Sequence, residues 1–374
     1  MNQVRCFNCG NICVKNGKTK AGTQRWLCKE CSDSFTNPID NSTKQFVQFQ
    51  HWLFSKAVQK EMSGAGRSFR RKISKFWEIW PMPPKIESPM NVVYVDGIYL
   101  SRKACILICC NEENVLGWYL CCYENSRAWE ALMQRIAAPA MVVSDGGRGF
   151  RKALKRVWPK AKLQRCTFHA FLQVKRYTTD RPKTIAGIEM YMIAKDLLMI
   201  KDLGQAANWV TRLINWRIRH KAFLSEMTRD EKGKLRPMHE RSLKADRSLA
   251  RLVRQNTLFT YLDESLSYGE ELPSTNNRIE GGINAQLRTM LRNHRGMSIE
   301  RRIKAVFWWC YFHTPKPLSA SEILKVMPTN RSISKLYKAM NERAKLEDSI
   351  PTWGDAVVWS ELHTSNSYPI YLWD

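Results

Sequence analysis

Apolar residues along the chain follow first a helical period, then a period of two, then a helical period again. Residues 44 to 80 read as helix broken once at Ser63 to Gly66. In RSFRRKISKFWEIW the residues Phe69, Ile73, Phe76, Trp77 and Trp80 form an apolar side, with Arg67, Arg70, Arg71, Lys72 and Lys75 elsewhere. From residue 91 the runs NVVYVDGIYL, KACILICC and NVLGWYLCCY predict three strands in a meander. A helix near SRAWEALMQRI, a strand at AMVVSD, a helix at RGFRKALKRVW and a strand at KLQRC complete the order β-β-β-α-β-α-β.

Residues 168 to 272 turn helical, most clearly where Trp209, Leu213, Trp216, His220 and Phe223 recur in steps of four and three. Such a stripe predicts core, with base stacking by Trp209 or Trp216 as the minor alternative. A later helix carries Ile279, Ile283, Leu287 and Leu291 every fourth residue, and Ser274, Thr275 or Asn276 can cap its start. Glu280, Asn284 and Arg288 share the neighbouring stripe. EILKVM and SISKLYKAMNERA, after Pro317, also read as helical, and the final aromatic stretch suggests docking on the core.

Composition changes the picture through charge. The 374 residues are 44% hydrophobic and 25% charged, a globular balance, but 60 Lys and Arg against 34 Asp and Glu leave a formal charge of +26. An excess this large predicts a polyanionic partner, nucleic acid first. No apolar run of about 18 residues and no leader-like start are present, so neither membrane insertion nor export is expected. A cytoplasmic, reducing setting follows, with the twelve cysteines as metal ligands or small core residues.

Position separates those two uses. Cys6 and Cys9, then Cys28 and Cys31, are two Cys-x-x-Cys pairs 18 residues apart, the spacing of a four-thiolate zinc ribbon. Cys13 lies near enough to replace a neighbour. Lys15, Lys18, Lys20 and Arg25 between the pairs suit phosphate contact. Cys105, Cys109, Cys110, Cys121 and Cys122 fall in apolar strands and read as buried side chains. The basic helix after the glycine turn fits a helix-turn-helix reader, followed by a proline linker at residues 81 to 84.

Three carboxylates then stand out: Asp96 in the first strand, Asp145 at the end of the fourth, and Glu280, a lone acid among Arg278, Arg288, Arg292, His294 and Arg295. They meet if the strands form a ribonuclease-H-like sheet, in which the first and fourth are neighbours. Two Mg²⁺ ions roughly 3.5 to 4 Å apart need bridging carboxylate oxygens and open positions for water and phosphate. Asp96 would bridge both ions, while Asp145 and Glu280 would each complete one site.

Asp96 in VDGIYL, Asp145 in VSDGGRGF, Cys166 and His169 in RCTFH, and Glu280 in NNRIEGGINAQLR resemble the DDE transposases of the Mutator superfamily of bacterial insertion sequences. The resemblance covers residues 1 to about 313. It implies a ribonuclease-H-like core interrupted by an all-helical insertion before the glutamate helix, and the spacings of 49 and 135 residues between the three acids agree. The family's C-x-x-H motif maps onto Cys166 and His169. Two ligands do not complete a zinc site, so packing or substrate positioning is the expected role, with direct participation of His169 in catalysis as the minor alternative.

The expected organisation is a multidomain α/β chain: zinc ribbon 1–40, helix-turn-helix and linker 41–84, catalytic core 85–167 with 273–316, all-helical insertion 168–272, and a C-terminal region 317–374. The expected cofactors are two Mg (or Mn) ions at Asp96, Asp145 and Glu280 and one structural Zn at the four cysteines. Expected partners are double-stranded DNA, both element ends and target, and further copies of the chain in a dimer or larger assembly. Lys18, Lys20, Arg25, Arg67, Arg70, Arg71, Lys72, Arg288, Arg292, His294 and Arg295 are the candidate DNA contacts, with Asn284 beside the site. The activity expected is cleavage and 3′-end joining; a silent DNA-binding regulator and a nuclease without strand transfer are the rivals.

Overall fold

The computed structural model describes residues 4–6, 9–36 and 41–347, of which 340–347 by backbone alone, and divides into units 1–51 and 52–374. The final aromatic stretch lies outside the described residues.

The first unit holds a three-stranded antiparallel sheet, β1 (Cys13–Lys18), β2 (Gln24–Cys28) and β3 (Ser34–Thr36), in that order. Its interior is Cys6, Cys13 and Cys28 with Trp26 and Phe35 partly buried against them. So small a core cannot stabilise a fold alone, which leaves the sulfur cluster to do it.

Helix α1 (Ser42–Phe54) crosses the division between the units. The helical run expected over residues 44 to 80 is interrupted sooner than the SGAG break: α1 stops at Phe54, and a 3-10 turn follows at Gln59–Glu61. Gly66 then sits at φ +79°, where a Cβ would come within 2.3 Å of the Gln59 carbonyl oxygen. Helix α2 runs only over Arg67–Ile73 and tightens into a 3-10 segment, Ser74–Glu78, that buries Phe76 and Trp77. The prolines after it are no free linker. Pro81 and Pro83 are buried, and the Trp80 amide donates to the Pro328 carbonyl at 2.8 Å.

The central sheet comprises β4 (Val92–Leu100), β5 (Ala104–Cys110), β6 (Val115–Cys121), β7 (Met141–Ser144) and β8 (Lys162–Arg165) in the order β6-β5-β4-β7-β8. The meander β4-β5-β6 is antiparallel, while β7 and β8 run parallel to β4. Helices α3 (Ser126–Met133) and α4 (Arg148–Val157) supply the crossovers and pack Trp129, Leu132, Phe150 and Leu154 onto Val93, Val95, Leu107 and Val142. Cys122, just past the end of β6, is only partly buried, whereas Cys105, Cys109, Cys110 and Cys121 are buried as expected. Their small volume suits strands covered on both faces.

Next come α5 (Thr167–Thr178), α6 (Ile185–Asp196), α7 (Leu203–Arg219) and α8 (Lys221–Ser225). The region is helical but not entirely so, because β9 (Met227–Arg229) and β10 (Leu235–Pro237) form an antiparallel hairpin. Its turn is held by Asp230, whose carboxylate accepts from the Lys232 and Lys234 amides, with Gly233 at φ +72°. Helices α9 (Glu240–Arg254) and α10 (Glu264–Ser267) complete it. Trp209 and Trp216 are buried, their indole N–H groups donating to the Ile193 and Ala186 carbonyls, so both belong to core and not to a stacking surface.

A π-helical turn, Arg278–Asn284, leads into α11 (Ala285–Asn293), α12 (Ile299–Phe312), α13 (Ala320–Val326) and α14 (Asn330–Glu347). Helix α12 covers the second face of the sheet, with Phe307 edge-on to Trp118. The stripe Ile279, Ile283, Leu287 and Leu291 is buried as expected, but its first half is π rather than α. Gly281 and Gly282 weaken the α form there. A Cβ on Gly281 would meet the Asn277 side-chain oxygen at 2.5 Å.

Candidate active site

Parallel register builds the site. Val95 lies opposite Ser144, and Ser144 opposite Arg165, so the next residue along each strand direction, Asp96, Asp145 and Cys166, falls in one row. Side chains alternate along a strand, which points that row away from the face carrying Val93, Val95 and Val142. The π-helical turn lies across this second face. The Asn276 side chain donates to the Val95 carbonyl at 3.1 Å, and the Asn284 side chain donates to Asp96 Oδ2 at 2.7 Å.

Glu280 sits between those two asparagines in sequence and faces His169, with Nδ1 and Oε1 3.2 Å apart. Both atoms are buried and make no hydrogen bond, the orphan arrangement that a cation between them would satisfy. Cys166, at the N-cap of α5, accepts from the Asn276 amide at 3.2 Å. The ligand atoms of Cys166, His169 and Glu280 lie within 4.8 Å of one another, so the third member of that group, which the C-x-x-H spacing did not supply, is Glu280 itself.

The acids feel one another. Burial pushes the Asp96 carboxyl up to about 7; the Gly97 amide pulls it down by more than any one neighbouring charge, and the charges of Asp145, Glu280 and Glu124 add smaller upward pushes. Burial also raises Glu280, offset by His169, the Asn276 side chain and Arg288, with Asp145 pushing the same way as burial. Mutual repulsion of this kind is what a divalent cation relieves, and the donors are hard oxygens of the type that Mg²⁺ and Mn²⁺ prefer. Asp96, Asp145 and Glu280 are therefore near enough to feel one another's charge, but their carboxylate oxygens are not gathered within the 4.8 Å that groups Glu280 with Cys166 and His169.

The folded-state value for Asp96 lies above the unfolded one, so ionisation costs stability progressively from about pH 4 to pH 7 and fully above that. Asp96→Asn, which stays neutral, should be more stable than the parent at pH 8 by on the order of 2–4 kcal/mol, and nearly equal to it at pH 4. Thermal melts in buffer free of Mg²⁺ and Mn²⁺ check this; a gain independent of pH would count against it.

Two neighbours escaped the sequence reading. Glu124, raised by burial and by Asp145, lies between the end of β6 and the Asn125 cap of α3. Arg165, whose guanidinium burial lowers, packs against Gly146 so closely that a Cβ there would lie 2.7 Å from its Nε. A lone acid just before a helix cap was the available signal for Glu124. Nothing in the local pattern marked Arg165.

Of the expected DNA contacts, Lys18, Lys20, Arg25, Arg67, Arg70, Arg71, Lys72, Arg288, Arg292 and Arg295 are exposed. His294 departs from the expectation. It is buried, hydrogen-bonded through Nε2 to the Leu53 carbonyl and packed on the Trp52 ring at 4.4 Å, so it holds the end of α11 and meets no phosphate.

In the first unit, sulfurs of Cys6 and Cys31, Cys9 and Cys28, and Cys9 and Cys31 approach at 3.5, 3.4 and 3.6 Å. These are too long for disulfides and close to the roughly 3.8 Å edge of a tetrahedron with Zn–S bonds of about 2.3 Å. The Cys31 amide aimed at the Cys28 sulfur lowers that thiol to about 6, so the first thiolate forms there, while the neighbouring sulfurs help to raise Cys9 and Cys31. The four cysteines can hold a zinc ion. Cys13 is buried beside them and is not one of the four.

Residues 92–173, from the first strand through Asp96 and Asp145 to the C-x-x-H helix, match the MULE transposase domain. Over that stretch the chain is similar to transposases. It is 31% identical over 100 residues to the transposase for insertion sequence element IS905 of Lactococcus lactis, covering 22% of this chain and 26% of that protein. It is 27% identical over 122 residues to the transposase for insertion sequence element IS6120 of Mycolicibacterium smegmatis, covering 28% of this chain and 38% of that protein. The matched stretches thus span well under half of either transposase. Among the described residues no helix is long and apolar enough to cross a membrane.

Proposed function

We propose that this chain is a DDE transposase that binds the ends of its own element, cuts DNA and joins the freed 3′-hydroxyl to a new phosphodiester. The observation that carries this reading is the alignment of Asp96 with Asp145 on neighbouring parallel strands inside the transposase-matched segment, facing Glu280. The strand order and directions are those expected of a ribonuclease-H-like core, with residues 168–272 as its insertion.

Asp96, Asp145 and Glu280 would hold two Mg²⁺ or Mn²⁺ ions, which when bound supply activation of the attacking oxygen and charge neutralisation of the leaving one. The asparagine at 284 fixes the Asp96 carboxylate through its 2.7 Å hydrogen bond, so that the acid is aimed before substrate arrives. The C-x-x-H pair orients Glu280: Cys166 anchors the Asn276 amide, and His169 faces the Glu280 oxygen. Exposed Arg288, Arg292 and Arg295 on and after α11 would hold DNA phosphates near the acids. The zinc-type ribbon with Lys18, Lys20 and Arg25, and the α1–α2 pair with Arg67, Arg70, Arg71 and Lys72, would read the terminal repeats. Two ends must be brought together, so a dimer or larger assembly on DNA is part of the reading, in a cytoplasmic, nucleoid setting.

Pre-cut element ends, a target plasmid and Mg²⁺ test it. Joined end–plasmid product is expected. Hydrolysis without joining would make the protein a nuclease, and end binding without either would make it a regulator.

A further inference from the structure

The strongest unassigned feature is Glu124, whose carboxylate reaches the Asp96–Asp145 edge from the α3 side of the sheet, opposite to Glu280. Its path is cleared by two glycines. A Cβ on Gly97, the residue after Asp96, would lie 2.6 Å from Glu124 Oε1. At Gly147, two residues after Asp145, a Cβ would stand 3.8 Å from Glu124 Oε2 and 3.7 Å from Asp145 Oδ1. One carboxylate therefore lies across the backbone that carries both strand acids, with one oxygen toward each. Gly97 is in ordinary extended backbone and makes no turn, so its missing side chain is explained not by conformation but by this approach, with Cys105 Sγ behind it at 3.1 Å from the same Cβ position.

Neutral donors account only in part for an acid here. Glu124 is partly buried beside Asp145, a like charge, and its backbone amide is 3.4 Å from the Tyr99 hydroxyl. Among the described residues no Lys or Arg forms an ion pair with it. The Tyr99 and Trp129 side chains offset part of its charge, but they are neutral, and an acid held against a second acid costs stability unless a cation is shared between them.

We propose that Glu124 is a fourth carboxylate of the catalytic centre, holding the divalent ion beside Asp145 directly or through one of its waters. The proposal rests on the two-metal reading above and adds to it a ligand from the opposite face of the sheet. Asp96 then lies between donors on both faces, Glu280 on one and Glu124 on the other. Gly97 is the gap through which the second donor enters.

Titration of the zinc-loaded full chain with Mn²⁺, without DNA, tests this by the free Mn²⁺ electron paramagnetic resonance signal. Glu124→Gln should weaken Mn²⁺ binding about 10-fold or more. Gly97→Ala, which keeps every acid but pushes Glu124 aside, should weaken it in the same direction. In the joining assay both should raise the Mg²⁺ concentration for half-maximal rate, with recovery at high Mg²⁺. Asp145→Asn is the reference arm. If it loses Mn²⁺ while both other variants bind as the parent does and melt at its temperature, Glu124 is no ligand and the proposal falls alone. If none of the three changes Mn²⁺ binding, the two-metal reading falls with it.

Discussion

Replacing Asp145 by Asn is expected to abolish cleavage and joining, by three orders of magnitude or more, while end binding in a gel shift stays within about twofold of the parent. The substitution preserves side-chain volume at the tip of β7 and removes the charge that faces Asp96. A two-ion centre that loses one of its holding carboxylates loses placement and charge neutralisation together, and these are nearly the whole of catalysis for in-line displacement at phosphorus. End binding depends instead on exposed Lys and Arg in other elements. An Asp145→Asn variant that still cut DNA at a tenth of the parent rate would remove Asp145 from the chemistry. Loss of binding in parallel would point to unfolding, which the melting temperature reports separately.

Cys28→Ser should have the second large effect, confined to the first unit. One zinc per chain is expected in the parent by elemental analysis and well under half that in the variant. Structural zinc in small domains is worth on the order of 10 kcal/mol at neutral pH. The interior of the first unit's sheet offers little besides sulfur, Trp26 and Phe35. Amide exchange across β1 to β3 should therefore become fast, while residues 52 to 339 melt as before. A variant that keeps both its zinc and slow exchange in β2 would show that Cys28 is no ligand. Cys13→Ser, one position outside the four-sulfur group, should leave the zinc count unchanged.

Much of this architecture was legible in the chain because local pattern dictated it. Alternating runs fixed the three strands of the meander, and the two Cys-x-x-Cys pairs fixed the sulfur cluster, since each pair comes from a single turn. The stripe through Ile279, Ile283, Leu287 and Leu291 found the buried side of the glutamate segment because residues four apart stay neighbours in an α-helix or in the wider π turn. The same tolerance hid the π turn itself. Basic residues in helical patterns were a weaker guide: His294 looked like a phosphate contact among arginines and is instead a buried hydrogen-bonding group against Leu53. The proline run is packed where the pattern suggests a free linker, because whether a segment is free or packed depends on partners far along the chain, here Pro328.

By itself the sequence determined which chemical groups were on offer: hard acids at 96, 145 and 280, soft sulfurs at 6, 9, 28 and 31, and a large positive excess. Residue type sets ligand hardness and charge whatever the fold. Only the tertiary structure decided which of these meet. The one-residue register between three parallel strands put Asp96, Asp145 and Cys166 in a single row. Glu124 and Arg165 joined them through backbone clearances at Gly97, Gly147 and Gly146. Register and clearance are relations between distant segments, and no period along the chain encodes them.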